Sequence, residues 1–269
     1  MAALLELEGV THRWPPGGCG RRERLALRDL TLAVAPGELV GVWGTRHSGR
    51  STLLLVAAGM VRPSEGAVRF DGRPLARAPM LGVRGGIGCC DRVFDPVIAD
   101  TAIEHVAAPL LSGAVSDREA ERAAYDQLER VGAADLAELE PADLDPAEAL
   151  RVGLARATIA RPRLLVVDEP TTAVRAAQER PLLSLLHSFA REERIAVLMT
   201  ADDAAALAGV DRALSLSRGV LRGGAPAPAL APAADAAPRG RGAPAGDPAG
   251  DGLPAGRVVP LPLPLREGR

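Results

Sequence analysis

The chain has 269 residues and an almost balanced charge, with 32 basic against 34 acidic side chains and a formal net charge of −2. Every basic residue is an arginine, because the sequence contains no lysine, and it contains no asparagine either. This balance argues against a dedicated nucleic-acid binder, since phosphate affinity needs a concentrated cationic surface. The absence of lysine excludes a Schiff-base mechanism and a phosphate-binding lysine.

Nothing in the sequence predicts a membrane span or an export signal. The longest apolar run, residues 53–61, is far shorter than the ~18 residues that a spanning helix needs. Glu6 and Glu8 stand where a secretory signal would be basic and then apolar. The adjacent Cys89 and Cys90 lack the spacing of zinc ligands. We therefore expect a cytoplasmic protein whose thiols have only a structural role.

Apolar runs alternate with helical patterns over residues 1–223, which predicts an α/β domain. In chain order, we predict strands at 4–10, 25–34 and 39–43, a helix at 51–60, strands at 67–70 and 87–90, helices at 101–111, 117–131 and 146–160, a strand at 164–167, a helix at 178–192, a strand at 196–200, a helix at 202–207 and a strand at 213–217. Residues 101–156 hold no convincing strand, so we expect a helical insertion there.

The composition changes near residue 223. Residues 224–269 are rich in Ala, Pro and Gly and show neither a helical nor a strand period. Such a segment cannot bury enough apolar surface to offset its ordering entropy, so we predict a disordered C-terminal tail. The run VVPLPLPL at residues 258–265 leaves a docking peptide open as an alternative.

The predicted strand 39–43 leads into a glycine-rich loop and then a helix. The loop GTRHSGRST, residues 44–52, has the spacing of the phosphate-binding P-loop, G-x-x-x-x-G-K-[ST], with Arg50 at the lysine position. Glycines let backbone N–H groups surround an anion, and the N-terminus of the following helix adds a partial positive charge. Alone, the loop is equally compatible with an ordinary glycine-rich turn.

Two further motifs follow in order. Residues 164–167 form an apolar strand that ends in Asp168 and Glu169, which resembles the Walker B motif of ABC-type ATPases. Between the two motifs, LDPAEALRVGLARA at 144–157 is similar to the ABC signature and its helix, LSGGQxxRVxxARA. Together they resemble the ATP-binding subunit of an ABC transporter over about residues 4–223, most closely the lipoprotein-releasing and macrolide-export branch.

This resemblance implies a P-loop NTPase (ABC-type ATPase) core with an antiparallel β edge and a helical subdomain at about residues 101–156. It implies ATP and Mg²⁺ as cofactors and an integral membrane permease as partner. It also implies a homodimer, or a heterodimer with a second ATP-binding subunit, in which each ATP site joins one subunit's Walker motifs to the other's signature. The expected location is the inner face of the cell membrane, and no nucleic acid is expected as a partner.

Residue roles follow from the same resemblance. Glu169 matches the general base, and Ser51 and Asp168 match the residues that hold Mg²⁺. Trp14 matches the aromatic residue that stacks on adenine, although a cap on the edge sheet is the alternative. The predicted nucleotide-binding positions are Trp14, Gly44, Thr45, Arg46, His47, Ser48, Gly49, Arg50, Ser51 and Thr52.

The chain departs from the family pattern in several motifs. Arg50 carries a planar guanidinium, which does not replace an ammonium at a fitted phosphate site. In the signature, Asp145 and Pro146 place a carboxylate and a residue without N–H where the γ-phosphate binds, although the same pair should cap a helix. Ala201 stands at the switch histidine and has no side-chain hydrogen bond to offer.

Two more departures flank these motifs. Arg92 aligns with the Q-loop glutamine, where a cation would repel Mg²⁺, and a shift by one residue would place Asp91 there. Arg175 replaces the D-loop aspartate. Because both halves of a composite site are changed in one chain, we predict ATP binding with weak or lost hydrolysis. Two alternatives stay open: a fully active transport ATPase with divergent motifs, and a docking or regulatory module that binds no nucleotide.

Overall fold

In the computed structural model, two β-sheets organise the residues that the structure describes, which are 3–16, 23–75, 83–91, 99–111 and 115–223. The first sheet is antiparallel in the order β2-β1-β4-β5. Its strands are β1 (Leu5–Trp14), β2 (Arg24–Val34), β4 (Glu65–Phe70) and β5 (Arg73–Pro74). The tight turn at Asp71 and Gly72 joins the last two strands, and this sheet confirms the antiparallel β edge that the resemblance implies.

The second sheet has the order β10-β9-β3-β8-β7-β6, and only the β9–β10 pair is antiparallel. Its strands are β3 (Leu39–Trp43), β6 (Ile87–Cys90), β7 (Leu164–Val167), β8 (Ala196–Ala201), β9 (Arg212–Ser217) and β10 (Val220–Gly223). Every residue of β7 and β8 is buried, as expected for central parallel strands covered on both faces. Strand β10 was not predicted from the sequence, because it is short and is defined by its pairing with β9.

Five α-helices surround the sheets in the described part of the chain. They are α1 (Arg50–Ala57), α2 (Ala102–Leu111), α3 (Asp117–Arg130), α4 (Pro146–Thr158) and α5 (Ala176–Arg191). The predicted helix at 202–207 is wrong, because only Ala205–Leu207 forms a 3₁₀ turn. Ala208 is extended and Gly209 has a positive φ, so a helix beginning near residue 202 has no room to grow.

Two hydrophobic clusters cover opposite faces of the second sheet. Val40 and Val42 of β3 face the cluster that includes the antiparallel sheet and α1. Leu39 belongs to the other cluster, which includes side chains of the remaining four helices. This alternation follows from the two-residue period of a strand. The second sheet therefore lies between two packed layers, and α1 belongs to the layer that also contains the antiparallel sheet.

The described residues between 101 and 156 form helices and short helical turns and contain no strand, as predicted. The predicted tail, residues 224–269, lies outside the described residues, as does Arg92. The domain boundaries therefore stay a prediction. No helix in the described ranges is both long enough and apolar enough to span a bilayer.

Candidate functional site

The predicted phosphate loop spans residues 44–52, of which 44–49 join β3 to α1, and this connection requires glycine at two positions. A Cβ atom on Gly44 would lie 2.3 Å from the carbonyl oxygen of Leu216. Gly49 has φ +112°, and a Cβ there would lie 2.4 Å from the carbonyl oxygen of Ala26. Other residue types avoid this backbone region, so glycine allows the loop to close tightly against the neighbouring strands.

The N-terminus of α1 is open to an anion. No side chain in the described part of the chain caps this helix, and its first turn contains no acidic residue. Helix N-termini carry a partial positive charge that favours phosphate. Ser48 Oγ and Arg50 Nη1 are buried and have no hydrogen-bond partner among the described residues. A buried unpaired polar group costs about 1–3 kcal/mol, so oxygen atoms of a phosphate fit this loop as the missing partners.

Oxygen atoms of α1 and β7 meet beside the loop. The Ser51 hydroxyl donates to Asp168 Oδ2 at 3.2 Å, so the structure brings the two predicted metal-binding residues together. Hydroxyl and carboxylate oxygens suit Mg²⁺, which needs few protein ligands when substrate phosphates supply others. In the described ranges, no group of three or more His, Cys, Asp or Glu side chains could hold a metal by itself.

Thr200 is a site residue that the sequence analysis missed. It lies on β8, is fully buried, and donates to Asp168 Oδ1 at 2.6 Å. Its hydroxyl oxygen also accepts the backbone N–H of Glu169 at 3.0 Å. One side chain therefore fixes both residues of the Walker B pair. A detectable signal was its position just before Ala201, at the end of a predicted strand.

Glu169, the predicted general base, forms a buried ion pair with Arg50 of the loop. The Nη2–Oε1 distance is 2.7 Å, and the side chains are only 7% and 10% exposed. Glu169 also has φ +49°, a left-handed conformation that costs a residue with a Cβ about 1–2 kcal/mol. Its backbone N–H bond to Thr200 helps to maintain this conformation. The carboxylate is thus held by the cation of the phosphate loop.

The structure also brings Trp14 to the loop. Its indole Nε1 donates to Thr52 Oγ1 at 3.1 Å, which anchors the ring beside α1. His12 packs against the ring edge to face, with centroids 4.7 Å apart. The indole is half-buried, so part of it remains accessible. This placement suits stacking on the base of a nucleotide whose phosphates bind the loop.

The N-terminus of α4, in the signature motif, is closed. Asp145 Oδ1 accepts the backbone N–H groups of Ala147 at 2.8 Å and Glu148 at 2.9 Å. The Glu148 side chain accepts the N–H of Asp145 at 2.9 Å, which completes a capping box. Pro146 occupies the first turn and contributes no N–H. The structure confirms the predicted cap, and this helix end already binds a carboxylate of its own chain.

The remaining altered positions and the exposed residues of the predicted phosphate loop are placed as follows. Ala201 ends β8, is buried, and pairs in register with Trp43 on β3. Arg175 is an exposed residue at the start of α5. His47 is exposed in the loop at φ +64°. Thr45 and Arg46 beside it are exposed as well. None of these exposed residues forms a buried ion pair like that of Arg50 with Glu169.

The titratable groups at the end of β6 are perturbed. Burial and the nearby charge of Asp168 raise the pKa of Asp91. Burial raises the pKa of Cys90 to about 12 and also raises the pKa of Cys89 well above its usual value. Both thiols therefore stay protonated near neutral pH, as expected for structural cysteines.

A comparison with protein families decides the identity. Residues 27–172, more than half of the chain, match the family model described as ABC transporter. The chain belongs to the ABC transporter family. The methionine import ATP-binding protein MetN of Rhizobium etli is 34% identical over 198 residues, or 72% of this chain. The protein of the same name from Thermobifida fusca is 38% identical over 181 residues, or 66% of this chain.

The chain spans only 55% and 56% of the length of these two relatives. Among solved structures, the dimeric post-hydrolysis state of the ATP-binding cassette MJ0796, bound to ADP and phosphate, superposes with a TM-score of 0.73. It is 24% identical, and the match covers 81% of this chain and 98% of that one. The cassette cbiO1 from Clostridium perfringens gives a TM-score of 0.70 at 19% identity, over 82% of this chain and 88% of its own.

These likenesses confirm the predicted fold class, an α/β P-loop NTPase of the ABC-ATPase type. Domains of this family bind ATP together with Mg²⁺, which agrees with the predicted cofactors. Subunits of the family dimerise and work with membrane permeases. The named relatives are import ATPases and do not support the predicted lipoprotein-releasing or macrolide-export branch.

Proposed function

We propose that this chain is the ATP-binding subunit of an ABC transporter and that it binds ATP with Mg²⁺ but hydrolyses it weakly or not at all. The open N-terminus of α1, with the unpartnered Ser48 Oγ and Arg50 Nη1, is the observation that carries the binding part. A phosphate is the ligand that satisfies all three features at once.

Different residues of the chain would bind the phosphates, the base and the Mg²⁺ ion. The backbone of residues 44–52 receives the phosphates, while Trp14 offers its ring to the base. Ser51 and Asp168 would hold Mg²⁺, and Thr200 keeps the Asp168 carboxylate in place. When bound, Mg²⁺ neutralises phosphate charge.

Two features support impaired hydrolysis. Ala201 has no polar side-chain atom to contact a γ-phosphate. Asp145 occupies the N-terminus of α4, where a second subunit's nucleotide would need a donor. The competing functions are a fully active transport ATPase and a docking module that binds no nucleotide.

We also propose the assembly around this subunit. It would join a membrane permease and a second ATP-binding subunit, identical or different, at the inner face of the membrane. The methionine import relatives favour import of an amino acid over export. The ATP-binding domain would comprise residues 1–223, with a helical subdomain at about 101–156, and residues 224–269 would form a disordered tail.

Calorimetric titration of the full chain with Mg-ATP tests the binding part. We expect saturable binding that Ser51→Ala weakens, whereas Ser184→Ala, at an exposed serine on α5, leaves it unchanged. Turnover should then be measured with the permease, and again for Glu169→Gln. Turnover at an ordinary transporter rate that depends on Glu169 would establish the fully active alternative. If no binding is detected at millimolar Mg-ATP, the remaining alternative is a docking module that binds no nucleotide.

A further inference from the structure

The ion pair between Arg50 and Glu169 joins two motifs that serve different tasks in the proposed function. Arg50 is the first residue of α1 and the buried cation of the phosphate loop, whereas the neighbouring Arg46 is exposed. Glu169 follows β7 and is the candidate general base. Their charged atoms are 2.7 Å apart, and both side chains are at least nine-tenths buried. No lysine exists in the chain to take the place of Arg50.

A buried guanidinium needs an anionic partner, because an unpaired charge in a low-dielectric interior is strongly unfavourable. Glu169 supplies that anion without any nucleotide. A nucleotide phosphate needs the same cation, and two anions on one guanidinium repel each other. The carboxylate and the phosphate are therefore alternative partners of Arg50.

The guanidinium is only partly used by Glu169. Nη2 makes the ion pair, whereas Nη1 is buried and has no hydrogen-bond partner among the described residues. A phosphate oxygen can bind Nη1 while Nη2 still holds the carboxylate, because the guanidinium presents its donors as a fork. The exchange of one anion for the other then needs no moment at which Arg50 is unpaired.

We propose that Glu169 is a built-in competitor for nucleotide phosphate, which holds Arg50 until a nucleotide displaces it. The inference rests on the proposed ATP binding and adds a regulation of the same site. The affinity for nucleotide is lower than it would be if no carboxylate competed for Arg50. The carboxylate of Glu169 becomes available to water only after the phosphates have taken Arg50.

ADP separates this role from a purely catalytic one. A glutamate that only polarises the attacking water has no effect on ADP affinity, because ADP lacks the γ-phosphate. A competitor for Arg50 weakens the binding of ADP and the binding of ATP alike. Glu169→Gln removes the competing charge with little change of shape, and Glu169→Asp keeps the charge but withdraws it by about 1.5 Å. Glu192→Gln, at an exposed residue that caps the far end of α5, controls for net charge.

The test is calorimetric titration of the four full-length proteins with ADP at one fixed Mg²⁺ concentration, after circular dichroism has shown equal folding. We expect Glu169→Gln to lower the Kd for ADP about tenfold or more. In this variant the phosphates of ADP no longer have to displace a charged carboxylate from Arg50. Glu169→Asp should lie between Glu169→Gln and the wild type, and Glu192→Gln should match the wild type.

Each outcome decides the proposal. Binding of ADP by Glu169→Gln where the wild type shows none supports the competitor in its strongest form. Equal or weaker binding by Glu169→Gln, with measurable binding by the wild type, overturns the competitor and leaves the proposed ATP binding intact. A gain in Glu169→Gln with none in Glu169→Asp assigns the effect to long-range charge and also overturns it. No ADP binding by any of the four proteins overturns both.

Discussion

The N-termini of α1 and α4 lie in the two motifs that, by the resemblance to ABC-type ATPases, are expected to meet around one nucleotide, and they differ in what occupies their backbone N–H groups. At α1 the cap is Gly49, which has no side chain, and no acidic residue follows in the first turn. At α4 the cap is Asp145, whose carboxylate accepts two backbone N–H groups of the first turn. One end can receive an anion, whereas the other already contains one.

Under the proposed function, this difference means that α4 keeps the shape of a helix start while the backbone N–H groups at that end are already occupied. Asp145 and Pro146 form a good helix start, so α4 is formed and its apolar residues pack in the core. The same residues leave few free backbone N–H groups at the start of α4 for the phosphate of a nucleotide that a second subunit binds. We therefore propose that the chain offers the Walker half of a composite site and withholds the signature half. Three further substitutions test this contrast.

The largest effect is expected where the open end depends on a glycine. Gly49→Ala should lower the free energy of unfolding by about 2–4 kcal/mol, because the new methyl group enters an unfavourable φ and approaches the Ala26 carbonyl. Urea denaturation measures this loss. Gly72→Ala is the matched control, since Gly72 also has a positive φ, +71°, but has no atom near its Cβ position. The control should lose only about 1 kcal/mol. Equal losses would show that close approach does not shape the loop.

A smaller effect is expected from the residue that holds the two acids beside the open end. Thr200→Val keeps the shape of the side chain but leaves the Glu169 N–H without its partner. We expect a loss of about 1–3 kcal/mol in unfolding free energy. The Mg²⁺ concentration needed for half-maximal nucleotide binding should also rise, because Asp168 is no longer fixed. Thr200→Ser retains the hydroxyl and should restore both quantities. An unchanged Mg²⁺ requirement in Thr200→Val would limit Thr200 to a role in stability.

The smallest effect is expected at the closed end. Asp145→Ala removes the cap of α4 and should lower the unfolding free energy by about 1 kcal/mol. Asp145→Asn keeps a side-chain oxygen and should lose much less, since both residues are good caps. Thermal unfolding followed by circular dichroism measures both variants. If Asp145→Ala is as stable as the wild type, the carboxylate does not close this helix end in solution.

Much of the fold could be predicted from local sequence patterns. Strand β3, the loop after it and β7 were placed correctly, because a buried strand and a glycine-rich turn each leave a continuous signature. The cap of α4 was also predictable, since Asp145 and the N–H groups it binds are neighbours in the chain. The short segment at 202–207 misled the sequence analysis because its alanine-rich composition suits a helix that its following residues do not continue.

The sequence by itself determined the family motifs, the open glycine-capped end of α1 and the closed end of α4, because each depends on residues within a few positions of one another. The tertiary structure alone decided which partner each buried charge has. Arg50 meets Glu169, and Thr200 meets Asp168, only because α1, β7 and β8 lie side by side in the folded domain. Chain separation hides such pairs from any local pattern, whereas burial favours them strongly, since a charge or hydroxyl removed from water is costly without a partner.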